Sequence, residues 1–145
     1  MAKIAFYKAK HGNWLDYLIA IATFSKYSHC EFILTDGTFV GSSPRDGGVR
    51  YKKINQNSGN WDVFDLPNTI DDRDIMAVYY KYQNNGYDWV GAIASLFDID
   101  KSTNGKMFCS EFCAIALGLR PSRPPSRLYK AMVRKRIITK EPQIS

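Results

Sequence analysis

No apolar run in this chain is long enough to cross a bilayer. The longest, Trp14 to Phe24, is broken by Asp16, Tyr17 and Thr23, whereas a spanning helix needs about 20 apolar residues. The first residues, Met1-Ala2-Lys3-Ile4-Ala5-Phe6-Tyr7, lack the charged-then-apolar order of an export signal. Cytoplasmic synthesis is therefore expected, with action at the cell envelope left open. Cysteine is scarce and odd in number, three in 145 residues, which excludes a complete disulfide framework. Asp46-Gly47-Gly48 has neither a following Lys-Ser/Thr nor a G-x-G-x-x-G context, so a nucleotide-phosphate loop is not expected. Internal repeats are lacking, and the one biased segment is the Pro/Ser/Arg cluster at 120–127.

Acid is missing where base is concentrated. Residues 120–140 hold eight of the 20 Lys and Arg and no Asp or Glu, so residues 1–119 carry 12 basic against 13 acidic groups. The net charge of +6 thus belongs to the C-terminal segment and not to the body. The division expected is a domain over 1–119 and a basic segment over 120–145 that packs on it or extends from it. Residues 120–140 suit contact with an anionic surface; nucleic acid is disfavoured, because so short a basic helix is more often a solvated face. A hydrophobic content of 45% over 145 residues is enough for a folded core without covalent staples.

Periodicity places the elements. Ala2 to Lys8 reads as a first strand, and Asn13 caps an amphipathic helix over 14–24. His29 to Leu34 and Thr38 to Gly41 read as a hairpin, because Asp36-Gly37 between apolar runs signals a two-residue turn. Val49 to Ile54 and Trp61 to Leu66 are further strands. Asp71-Asp72 opens a helix ending near Gln83 and stopped at Asn85-Gly86, Tyr87 to Phe97 is a third helical stretch, and Cys109 opens a helix ending near Gly118. Ser126 is the expected cap of a short basic helix running to about Arg136. Helices at both ends with strands between them give an α+β fold.

Cys109 at the first turn of an apolar helix, with His29 on a distant strand, is the chemically informative pair. Unpaired N–H groups and the helix dipole favour a thiolate there, so Cys109 is expected to ionise more readily than a free thiol. A histidine from another element can take its proton and return it to a leaving group. If Asp36 and Gly37 are the two turn residues, Glu31 faces Ser42, and His29, Glu31 and Ser42 share one face. Cys30, Phe32, Leu34 and Phe39 then point the other way. Glu31 and Ser42 are thus the candidates for orienting His29. Cys30 and Cys113 read as core residues, and Glu111 either complements its helix N-terminus or joins the chemistry. Zinc held by His29, Cys30, Cys109 and Cys113 is disfavoured, because adjacent strand residues point to opposite faces and Cys-x3-Cys departs from the usual knuckle. No cofactor is expected.

The order of these pieces resembles the circularly permuted branch of the NlpC-type papain-like superfamily. That branch includes bacterial and phage proteins and, more distantly, lecithin:retinol acyltransferase-like enzymes. The matching segments are Gly12-Asn13-Trp14 through Thr23, Tyr27-Ser28-His29-Cys30-Glu31-Phe32, Ser42 to Arg50, Tyr87-Asp88-Trp89-Val90-Gly91 and Phe108-Cys109-Ser110-Glu111-Phe112. The resemblance implies a permuted papain-like fold with an antiparallel sheet or small barrel packed against helices. It also implies Cys109 as nucleophile, His29 as base then acid, and the Cys109 N–H in an oxyanion hole. Relatives often place a His, Glu or Gln on the next strand, where this chain offers only Gly41, Ser42 and Ser43. The activity implied is hydrolysis of an amide, peptide or isopeptide bond through an acyl-thioester, with peptidoglycan stem peptides as the leading substrate class. Lipid acyl transfer or thioester cleavage on the same fold is the alternative. A catalytically weak accessory protein that binds a partner, an anionic membrane or nucleic acid is a further one.

Overall fold

The structure is a computed structural model that describes residues 1–9, 26–87, 106–121 and 124–144. Five strands form an antiparallel sheet: β1 (Lys3–Lys8), β2 (Tyr27–Ile33), β3 (Thr38–Ser43), β4 (Gly48–Lys53) and β5 (Trp61–Asp65). Two short strands, β6 (Gly86–Tyr87) and β7 (Lys106–Met107), extend it to the order β5-β1-β2-β3-β4-β6-β7, with the last pair parallel. The described helices are α1 (Asp72–Tyr82), α2 (Cys109–Ala116) and α3 (Pro125–Arg134). The architecture is α+β. The helix expected over 14–24, and all but the first residue of the one expected over 87–97, lie outside the described residues. Tyr87 itself pairs with Met107 in the sheet and does not open a helix.

β2 is buried along its whole length, with β1 on one side and β3 on the other. On one face Cys30, Phe32, Leu34 and Val40 pack against Phe112, Cys113, Leu128 and Met132 of the helices. On the opposite face Ala5, Tyr7, Ile33, Phe39, Trp61 and Val63 form a second apolar cluster. Phe39 is therefore on the side opposite to the one its expected register gave.

The hairpin turn explains that difference. Leu34 and Thr38 close it, with Leu34 N–H donating to Thr38 O at 2.8 Å and Gly37 N–H to Leu34 O at 2.8 Å. Gly37 has φ of 81°, whereas Asp36 is not among the residues of positive φ. A two-residue type I′ turn needs positive φ at both central residues, so the chain takes a three-residue loop, Thr35-Asp36-Gly37, with glycine in the left-handed position. Asp36 reinforces it by accepting from Thr38 N–H at 2.9 Å and Thr38 Oγ1 at 2.8 Å. The pairs become Ile33 with Phe39 and Phe32 with Val40, one residue away from the register expected, and a one-residue slip exchanges the two faces of β3.

Residues 124–144 pack onto the body. Leu128, Met132 and Ile138 are buried in the helix-side core, and Ile144 forms an antiparallel bridge to Val63 of β5. α3 begins at Pro125, one residue before the expected cap Ser126, which lies inside the first turn. A proline fits there because the first helical N–H has no partner to lose. The helix expected to open at Asp71-Asp72 is α1, and Asp71 caps it, accepting from the N–H groups of Arg73 at 2.8 Å and Asp74 at 3.2 Å.

Candidate active site

His29 and Glu31 are two residues apart on β2 and therefore share a face. Glu31 Oε1 lies 2.6 Å from His29 Nε2. Glu31 is fully buried and His29 is 9% exposed. A β-bulge interrupts the β1–β2 pairing beside the histidine: Tyr7 pairs with His29 but Lys8 with Tyr27, leaving Ser28 as the extra residue. Bulges twist a strand and re-aim its side chains, and they concentrate next to active sites. The strand start is anchored by Tyr27, whose hydroxyl donates to Asp62 Oδ2 at 2.7 Å, and by Lys26, whose Nζ lies 2.8 Å from the same oxygen. Trp61 flanks the imidazole at a centroid separation of 6.1 Å and packs on Tyr7 and Phe39.

Cys109 opens α2 and is fully buried. Its thiol interacts with His29, each changing the other's hold on its proton, and also with Cys30. Cys30 in turn contacts Cys113, so three free, buried thiols meet where α2 crosses β2. The backbone N–H of Phe108, just before the helix, donates to Glu111 Oε2 at 3.0 Å. Glu111 thus complements its helix terminus.

Ser42 is elsewhere. Its Oγ donates to the Met107 carbonyl at 2.6 Å, on the face that the corrected register gives it. It ties β3 to the residues that lead into Cys109 and takes no part in holding His29. Gly41 occupies the place beside Glu31: a Cβ there would lie 2.7 Å from Glu31 Cγ. Gly41 pairs with Arg50 in the β3–β4 ladder, and with no side chain between them Arg50 reaches the carboxylate. Its Nε donates to Glu31 Oε2 at 3.2 Å and its Nη2 to Oε1. Nη1 of the same guanidinium donates to Asp46, which Lys52 also approaches at 3.3 Å. The site is therefore a chain, Cys109–His29–Glu31–Arg50–Asp46.

The charges follow from these contacts. Burial pushes Glu31 up, but His29 and Arg50 outweigh it and hold the carboxyl below its ordinary value. Burial pulls His29 down, yet Cys109 and the Glu31 carboxylate more than reverse this, raising it to about 10. Burial and the neighbouring Cys30 push Cys109 well up, against the downward pull of His29. That direction is opposite to the one expected from the helix terminus alone, because burial penalises the thiolate. These directions hold Cys109 toward its thiol and His29 toward its imidazolium.

Arg50 and Trp61 carry no motif of their own. A signal for Arg50 did exist: a glycine within β3, paired with a basic residue on β4 and flanked on its other side by an acidic one on β2. It is readable only once the register is known.

No family model matches the chain, and no curated protein matches it. Among solved structures it resembles the metalloprotein yiiX from Escherichia coli O157:H7, a DUF1105 protein. The TM-score is 0.57 at 16% identity, over 99% of this chain and 85% of that one. The likeness is one of fold. Among the described residues, no group of three or more His, Cys, Asp or Glu is arranged to hold a metal ion. No described helix is long and apolar enough to cross a membrane.

Proposed function

We propose that this protein is a cysteine hydrolase of the permuted papain-like kind. The observation that carries the reading is the Cys109–His29–Glu31 relay: a thiol at a helix start meets a histidine whose Nε2 is bound by a buried carboxylate. With Nε2 taken by Glu31, Nδ1 is the nitrogen left to serve the thiol.

Loss of one proton from the resting pair produces the reactive form. Sγ of Cys109 then attacks the carbonyl carbon of an amide or ester, the S–C bond forms and the carbonyl electrons move onto oxygen. The Cys109 N–H, one of the first N–H groups of the helix and so without an intrahelical partner, is the donor this reading assigns to that oxyanion. As the oxygen's electrons return, the C–N or C–O bond breaks and His29 delivers its proton to the leaving group. Water then attacks the thioester with His29 as base, and the thiol leaves with that proton. Glu31 keeps the imidazole in one orientation and stabilises its cation throughout.

Peptide and isopeptide bonds are the leading substrate class, with peptidoglycan stem peptides first by resemblance. The same acyl-thioester passed to an alcohol or amine would make the protein a lipid acyltransferase. The test is alkylation of the folded protein with iodoacetamide, mapped to each cysteine, with Cys109→Ala and His29→Gln as comparisons. Selective labelling of Cys109 that changes its pH dependence in His29→Gln supports the reading. Labelling of Cys109 only on unfolding, or indifferent to His29, overturns it.

A further inference from the structure

We propose that Arg50 is a positioning residue whose permanent charge keeps Glu31 ionised while His29 gains and loses its proton. The inference rests on the hydrolase reading and deepens it.

Glu31 faces a changing charge over one turnover. When His29 is protonated, the buried carboxylate has a cation 2.6 Å away. When His29 gives its proton to a leaving group, that cation vanishes. A carboxylate with no solvent exposure and no counter-charge would then take up a proton itself, because burial penalises the charged form. A protonated Glu31 is a poorer acceptor and no longer favours the imidazolium that the next step must regenerate. The residue that prevents this must be cationic at every working pH, must reach Glu31 without displacing His29, and must itself be fixed.

Arg50 meets each condition. A guanidinium does not lose its charge in the working range of a protein. It contacts both carboxylate oxygens, Oε2 through Nε and Oε1 through Nη2, and so approaches along the sheet while His29 keeps its own contact with Oε1. Its path exists because the residue between the two strands is Gly41. Asp46 holds the far side of the guanidinium through Nη1, and the Arg50 side chain is only 11% exposed. Two carboxylates on one fork fix its plane, which a lysine on a flexible stem cannot reproduce. Arg50 touches neither Cys109 nor any atom that reacts, and acts only through Glu31.

The direction of the effect follows. Removing the cation makes the state with ionised Glu31 and neutral His29 harder to reach, so the Glu31–His29 pair holds its last proton more tightly. The acid limb of Cys109 reactivity then moves to higher pH.

The experiment reads the pH dependence of Cys109 alkylation, which needs no substrate, in wild type, Arg50→Met, Arg50→Lys and Asp46→Asn. Circular dichroism monitors folding. Arg50→Met is expected to move the acid limb up by about one unit, a roughly tenfold slower labelling on that limb. Arg50→Lys, which keeps the charge and loses the fork, is expected between the two, and guanidinium chloride at millimolar concentration should speed Arg50→Met selectively. Asp46→Asn should give a smaller upward shift; it leaves Arg50 in place and keeps the test open if Arg50→Met does not fold. An acid limb unchanged in Arg50→Met, or unchanged in both Arg50→Lys and Asp46→Asn, overturns the proposal. Failure of the hydrolase reading looks different: Cys109 in wild type would then ignore His29→Gln.

Discussion

Gly41 stands so close to Glu31 that a methyl group on its Cα would lie 2.7 Å from the glutamate Cγ. The position must be empty both for Glu31 to point at His29 and for Arg50 to pass. Gly41→Ala should therefore lower Cys109 reactivity by displacing Glu31, while costing about 1–3 kcal/mol of stability as overpacking does. Thermal unfolding and alkylation kinetics measure the two effects. An alanine variant that matches wild type in both would show that Glu31 does not need this space.

His29 and Glu31 make stability depend on pH in opposite senses. His29 is raised from its ordinary 6.5 to about 10, so the folded state binds its proton more tightly than the unfolded chain. The stability this gives is complete below about 6.5, declines as pH rises, and is gone above about 10. Glu31 acts in the other sense, since its lowered value gives stability that is present above its ordinary pKa and is lost in acid. Melting temperatures measured across this range should fall on the alkaline side, and His29→Gln should flatten that fall. Because His29 and Cys109 are both raised, alkylation of Cys109 should still be increasing at about pH 10, where a free thiol with a pKa of about 8.5 has levelled off.

The three cysteines should separate by role. Cys109→Ala is expected to remove all turnover on an acyl substrate and leave the fold intact. Cys113→Ala, further along the same helix and equally buried, should leave turnover within a few-fold of wild type, with a small loss of stability. Equal losses of turnover in both variants, measured with circular dichroism as the control, would reassign the chemistry to the cluster as a whole.

Much of this site is legible in the order of residues. Histidine and glutamate at alternate positions must share a strand face, and an apolar stretch beginning with Cys109 marks a helix start. Cys30 was legible as helix-side core for the same reason. Ser42 and Phe39 lie on other faces than the sequence predicts because of a single residue of turn length: Asp-Gly signals a two-residue turn, but Thr35 joins the loop and every face on β3 changes. Arg50 was hidden because its meaning depends on two registers at once, β2 with β3 and β3 with β4. The upward shift of Cys109 was hidden because a helix terminus shows in sequence and the dryness of a pocket does not.

The basic segment should be probed by substitution and not by deletion. Leu128 is 1% exposed and Met132 fully buried, so Leu128→Ala should cost about 2–5 kcal/mol, and removal of residues 120–144 should unfold the body. Lys130, Arg134 and Lys135 are exposed. Reversing these three charges should leave Cys109 labelling unchanged, and any binding to heparin should weaken with the variant and with added salt. Heparin binding that survives both would place the contact elsewhere.

The bridge between Val63 and Ile144 bears on how the edge of the sheet is protected. β5 is the outermost strand on its side of the sheet, and an uncovered outer strand is a template for another chain to add to. Here Val63 N–H donates to Ile144 O at 2.8 Å and Gln143 N–H donates to Val63 O at 2.8 Å, while the Gln143 side chain accepts from Asp65 N–H at 3.0 Å. Residues 143 and 144 thus occupy the hydrogen-bonding groups that a neighbouring molecule would otherwise seek, and they shield the chain from edge-to-edge association.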